Sequence, residues 1–271
     1  LQSYVREWPG VMCIYGVTRI GDGSIGASRF LPQLVSALEI AKPAVVFLSG
    51  LWFVLHRINL KTDTAPLTGR ILLVMAGAAF LAVADTTVEI AYLTIPKKEV
   101  FPSAGCCTGI VAHAEGNARF LPQPLVGIDE TSLFVAYYAC NSITILAVYA
   151  FRMWTSHRRS NPCLMALVGA AIATTVMDAI FVIDVVAPRL LGTPDHHCPY
   201  DLVPGAPESL IGVALFVMGG GAVGWAALAT WLSGGIQPKS SASGITDELL
   251  QLASTSYLVS LLWISGELIL K

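Results

Sequence analysis

Runs of about 20 mainly apolar residues constrain this chain more than any other feature, because a helix needs that length to cross a bilayer. Five runs meet the requirement well: 43–60, 71–95, 131–153, 163–187 and 209–232. A sixth, 249–270, is less apolar but long enough. Hydrophobic residues make up 55% of the chain and charged residues 13%, about half the roughly 25% usual in soluble domains. One soluble core could not bury that much apolar surface, so lipid must solvate much of it. A mean hydropathy of +0.67 agrees. The expected fold class is an all-α integral membrane protein. Its six or so transmembrane helices would form hairpins with long extracytoplasmic Cys-containing loops.

The expected order is as follows. Residues 1–42 form an extracytoplasmic loop and an amphipathic lead-in, with Pro43 near a helix start, where its missing N–H costs little. Residues 43–95 form a first helical hairpin, 96–130 a loop, 131–187 a second hairpin, 188–208 a loop and 209–271 a third hairpin. The Ser/Gly stretch 233–244 reads as a flexible connection. The chain begins at Leu1 rather than a methionine, which fits a processed or trimmed start and leaves room for an upstream signal or anchor helix.

Two connections are short and basic. One carries His56, Arg57, Lys61 and Arg70; the other carries Arg152, His157, Arg158 and Arg159. The positive-inside rule places them in the cytoplasm and the longer Gly/Pro-rich connections outside, in an inner or plasma membrane. The bias is modest, since seven Lys or Arg residues lie on the other side. The formal net charge of −2, with no basic or acidic tail, argues against nucleic acid as a partner. The bilayer, and other membrane subunits, are the partners expected.

An internal repeat accompanies this layout. Arg29-Phe30-Leu31-Pro32-Gln33 recurs as Arg119-Phe120-Leu121-Pro122-Gln123. Downstream, Gly77-Ala78-Ala79 precedes Asp85, and Gly169-Ala170-Ala171 precedes Asp178. Both copies run in the same direction, unlike the inverted repeats of many transporters.

Four loop cysteines are candidates for disulfides or redox chemistry: Cys13, Cys106, Cys107 and Cys198. On an oxidising face, two disulfides are the simplest outcome. Cys140 and Cys163 fall in or beside helices and read as small buried apolar residues. Cys198-Pro199-Tyr200-Asp201 resembles a Cys-Pro-Tyr-Cys redox motif with its last cysteine replaced by aspartate. Membrane disulfide oxidoreductases, such as the vitamin K epoxide reductase and DsbB families, also place loop cysteines above a helical bundle. Cys13-Ile14-Tyr15-Gly16 shares its Cys-x-Tyr core, but neither segment is a complete Cys-x-x-Cys, so no membership follows. A second chemistry for the same loops is zinc or copper binding, which suits thiolate and imidazole. Its candidates are Cys106, Cys107 and His113, and His196, His197 and Cys198. No histidine lies deep in a span, so no intrinsic transmembrane b-haem is expected, and the sequence names no other cofactor.

Ionisable residues inside spans are costly and point to function. Asp85 and Glu89 are four apart and share a helix face. Asp178 sits at similar depth, about 15 Å in, with Asp184 nearer the outer end. Thr86, Thr87, Thr174 and Thr175 are placed to solvate these acids. Two facing carboxylates would favour a shared proton. No basic residue sits mid-span, and Glu39, Lys42 and Glu267 are expected to snorkel to the interface. Gly220 and Gly224 form a Gly-x-x-x-Gly face for close helix packing.

No hydrolase, kinase, P-loop or dinucleotide motif appears. The first expectation is a non-catalytic membrane subunit of a larger energy-converting (electron- or proton-transfer) complex. The second is an extracytoplasmic thiol-redox or metal-handling protein. The third is a small proton- or cation-coupled transporter using Asp85, Glu89 and Asp178.

Overall fold

A computed structural model describes residues 32–62, 65–93, 129–154, 161–192, 199–234 and 239–270. These are helical with short turns, and no strand occurs among them. In chain order the elements are α1 (Pro32–Leu60), α2 (Thr68–Leu93), α3 (Glu130–Trp154), α4 (Asn161–Phe181) and a π-turn (Val182–Val186). They are followed by α5 (Ala187–Leu191), a 3₁₀ turn (Pro199–Asp201), α6 (Leu202–Gly205), α7 (Ser209–Leu232) and α8 (Lys239–Leu270). Six stretches are long and apolar enough to cross a membrane: Ile40–Leu60, Thr68–Ala91, Glu130–Met153, Pro162–Leu191, Ser209–Leu232 and Gly244–Leu270. The chain is an integral membrane protein in contact with lipid. The described residues fall into two compact units, one drawn from 32–49 and 75–93, the other from 50–74 and 129–270.

Local chemistry explains where several helices begin and end. Pro43, expected near a helix start, lies inside α1. Pro32 takes the first helical position instead, where a missing N–H is harmless. Asp129 caps α3: its Oδ1 accepts the Ser132 amide at 3.3 Å and the Ser132 hydroxyl. These bonds, the hydroxyl first, hold the Asp129 carboxyl below its ordinary pKa. Glu130 in the first turn adds favourable charge at the positive helix end. Asn59 ties the α1–α2 turn, accepting from the Leu67 amide at 2.9 Å and donating to Thr68 Oγ1 at 3.3 Å.

The fourth span runs past its expected end at residue 187. Pro188 would interrupt a regular helix by removing one donor. The π-turn widens the register just before it, with the Ala187 amide bonding to Val182 O, and the helix resumes as α5. Gly192 then ends it at φ 66°, with its amide on Arg189 O. Glycine is the residue that enters this left-handed geometry without strain.

Within the second unit, α7 and α8 make the most extensive helix pair. Lipid tails are as apolar as Leu, so close packing and interhelical hydrogen bonds must hold such a pair together. Gly219 lets the Tyr257 ring lie flat on α7; a Cβ there would sit 3.0 Å from the ring. Tyr257 is wholly buried. Ser260 Oγ donates to Gly212 O at 2.7 Å. Gly220 faces Tyr257 Oη and Thr175 Oγ1, while Gly224 is half-buried on the same helix. Three arginines fasten other helices to this pair. Arg70 donates to Leu232 O, Arg152 to Gln251 at 2.9 Å, and Arg57 pairs with Glu248 at 3.7 Å. An apolar core of the same unit gathers Leu133, Tyr137, Phe181, Val186, Leu202 and Ile264.

Candidate functional site

The intramembrane acids fall into two different settings. In the first unit, Lys42 Nζ lies 2.9 Å from Asp85 Oδ2 and 2.5 Å from Glu89 Oε1. Asp85 and Glu89, one turn apart on α2, present their carboxylates to a single cation on α1. Lys42 therefore pairs with both acids inside this unit rather than serving only as a snorkelling residue, and the expectation that no base meets them is corrected. One cation answers two carboxylates, and Asp85 Oδ1 stays buried without a hydrogen-bond partner among the described residues. Distance along the sequence hid this pairing, because Lys42 precedes Asp85 by 43 residues.

In the second unit, Asp178 is 6% exposed. Its Oδ1 accepts from Asn141 Nδ2 at 2.7 Å, and the same amide nitrogen donates to Tyr137 O at 3.0 Å. Asn141 lies on α3 and Asp178 on α4, so this is a polar tie between two spans. Toward the other end of the same helices, the hydroxyls of Thr144 and Thr174 bond to each other at 2.7 Å. Asp178 lies 13 residues before Leu191, about 20 Å from that end of its span at roughly 1.5 Å per residue.

The threonines expected to solvate the acids do something else. Thr86, Thr87 and Thr175 donate to the carbonyls four residues back, Ala82, Val83 and Ala171, at 2.7–2.8 Å. A threonine in a helix finds that acceptor without leaving its own turn. Asn141 is the solvating group that sequence reading missed. Nothing in its spacing marked it; the one available signal was a carboxamide in an apolar span.

A cleft of about 280 Å³ opens beside Asp178. Its walls include Tyr137, Thr175, Phe216, Val217, Ser260 and Ile264, from α3, α4, α7 and α8. Tyr137 is fixed from behind by Phe181, whose ring stacks on it at 4.0 Å and 10°. Phe216 packs edge-on against Tyr257 at 5.3 Å. Tyr257 Oη is buried without a hydrogen-bond partner among the described residues. Asp184 is half-buried in the π-turn and is not among the residues lining the cleft.

The loop candidates Cys13, Cys106, Cys107, His113, His196, His197 and Cys198 lie outside the described residues, as does most of the Arg-Phe-Leu-Pro-Gln repeat. Among the described residues, no group of three or more His, Cys, Asp or Glu could hold a metal ion. Cys140 is half-buried and Cys163 exposed, both as free thiols, so Cys163 does not fit the expected buried role. No protein-family model, curated protein or solved structure matches the chain.

Proposed function

We propose that this chain is a small membrane carrier that couples a proton to a cation, with Asp178 as the group that exchanges them. The observation that carries this reading is one carboxyl group, deep in a span, held on one oxygen by Asn141 and set beside a cleft. A carboxyl group can release a proton to accept a cation and reverse the exchange, and an ionisable group at that depth is costly and marks a candidate site. The third sequence expectation thus moves ahead of the first. Asp85 and Glu89 already share Lys42, so in this reading they serve as a structural tie and Asp178 carries the exchange. The spans form antiparallel hairpins. The end bearing Arg57, Arg70 and Arg152 faces the cytoplasm, following the positive-inside rule.

The test uses acid-loaded proteoliposomes whose pH gradient is read by a quenched acridine dye. Sodium, potassium and quaternary ammonium ions are added in turn. Recovery of fluorescence with wild-type protein, lost in Asp178→Asn, supports the carrier. Recovery that is unchanged in Asp178→Asn refutes it. No recovery with any cation, together with stoichiometric co-purifying chains, returns the reading to a subunit of a larger energy-converting complex. Alkylation of the natively purified protein, with and without reduction, tests the thiol-redox alternative separately.

A further inference from the structure

The cleft has a definite chemical character. Among the described residues that line it, Asp178 is the one acid, and none is a lysine, arginine or histidine. Its other walls are carbon apart from a few hydroxyls. Of these, Thr175 already donates to Ala171 O and Ser260 to Gly212 O. A ligand must suit one carboxyl group on one side and apolar walls on the others.

Three ligand classes fail that requirement. An anion meets the carboxylate with like charge. A neutral apolar body fills the walls but gives the carboxyl group nothing to exchange its proton for, which the carrier reading requires. A bare inorganic cation needs a shell of oxygens, six to eight for a calcium ion and an octahedron for magnesium. Among the described residues the cleft offers one carboxyl group and the side chains of three hydroxyl residues, Tyr137, Thr175 and Ser260, the last two already engaged, which is too few oxygens for such a shell. What remains is a cation whose charge is attached to carbon.

Resting on the carrier reading, and naming its substrate class, we propose that the cleft beside Asp178 binds an organic cation: a protonated or quaternary amine on an apolar body about the size of one ring. Asn141 occupies Oδ1 of Asp178, and a carboxylate keeps a second oxygen for the ammonium group. The Tyr137 and Phe216 rings lie in the walls, and aromatic faces attract such cations. Phe181 stacked on Tyr137 holds that ring in place before any ligand arrives. The volume of about 280 Å³ is at the small end of ligand pockets. That size selects a single-ring amine over a drug-sized one.

Equilibrium binding to the full-length protein in nanodiscs tests this directly, without transport. Benzyltrimethylammonium is the probe, and neopentylbenzene is its neutral isostere of the same shape. Wild-type protein is expected to bind the cation, and to bind the neutral compound at least about tenfold more weakly. Asp178→Asn should lose the cation by at least about tenfold. Val213→Phe, which keeps the charge but fills the cleft, should lose both compounds. Thermal unfolding of each variant confirms that it is folded. Equal affinity for the charged and neutral compounds overturns the proposal. So does cation binding that persists unchanged in folded Asp178→Asn, or no cation binding by wild type. Binding without any pH-gradient recovery keeps the ligand class and removes the carrier reading. Recovery with sodium or potassium but no binding of the probe does the reverse.

Discussion

The two acid clusters of this membrane protein solve the same physical problem in opposite ways. At Lys42, Asp85 and Glu89, one cation answers two acids near the ends of their spans, and the Lys42 and Glu89 side chains are about half exposed. At Asp178 the acid is deep and buried, and its partner is a neutral amide. Acids that share a cation have part of their charge answered within the protein. An acid bonded to an amide has no counter-charge on that partner. The same helix pattern, a Gly-Ala-Ala run followed by an aspartate, therefore produces a tie in one place and a candidate binding group in the other.

The largest expected difference is in transport. Asp178→Asn should reduce cation-driven pH-gradient recovery by at least about tenfold. Asp85→Asn leaves Lys42 with Glu89 and should stay near wild type. Equal losses in the two variants would erase the functional contrast between the clusters.

Stability should differ next. Asn141→Leu removes the donor from buried Asp178 and should cost about 1–3 kcal/mol, read by unfolding in detergent. Lys42→Met removes a half-exposed partner and should cost no more than about 1 kcal/mol. Added salt should narrow the second effect and leave the first unchanged, because screening acts on exposed charges. A larger loss in Lys42→Met would mean that this cluster is the buried one in the bilayer.

A double-mutant cycle on Thr144→Val and Thr174→Val should give a coupling of about 0.6 kcal/mol, the average for interhelical hydrogen bonds in a membrane. That value would separate ordinary polar packing between α3 and α4 from the Asn141–Asp178 pair beside it. A coupling as large as the Asn141→Leu effect would make the whole interface one network.

The smallest effect concerns an acid outside the spans. Asp129→Ala should fray the start of α3, seen as faster amide exchange at Thr131 and Ser132. Because the folded Asp129 carboxyl titrates below its ordinary value, its contribution is complete above the unfolded pKa of about 3.9. It is lost as pH falls through the lower folded value. Fraying that is independent of pH across that window would show that the cap does not depend on charge.

The helical class and the six spans were readable from the chain because the bilayer imposes a length and a composition that local sequence must satisfy. The acids were readable too, since a charge in an apolar run stands out wherever it points. Their partners were not. Lys42 is 43 residues from Asp85 and Asn141 is 37 from Asp178, and no local rule connects residues that meet across a helix interface. Thr86 and Thr175 looked equally suited to solvate an acid, yet each bonds to its own helix. The cleft is further still from the sequence, because its walls come from four helices and its shape depends on how Gly212 and Gly219 admit Ile264 and Tyr257. Hydrophobic length determines that a helix spans; only side-chain packing between spans decides which charge is tied and which is left to act.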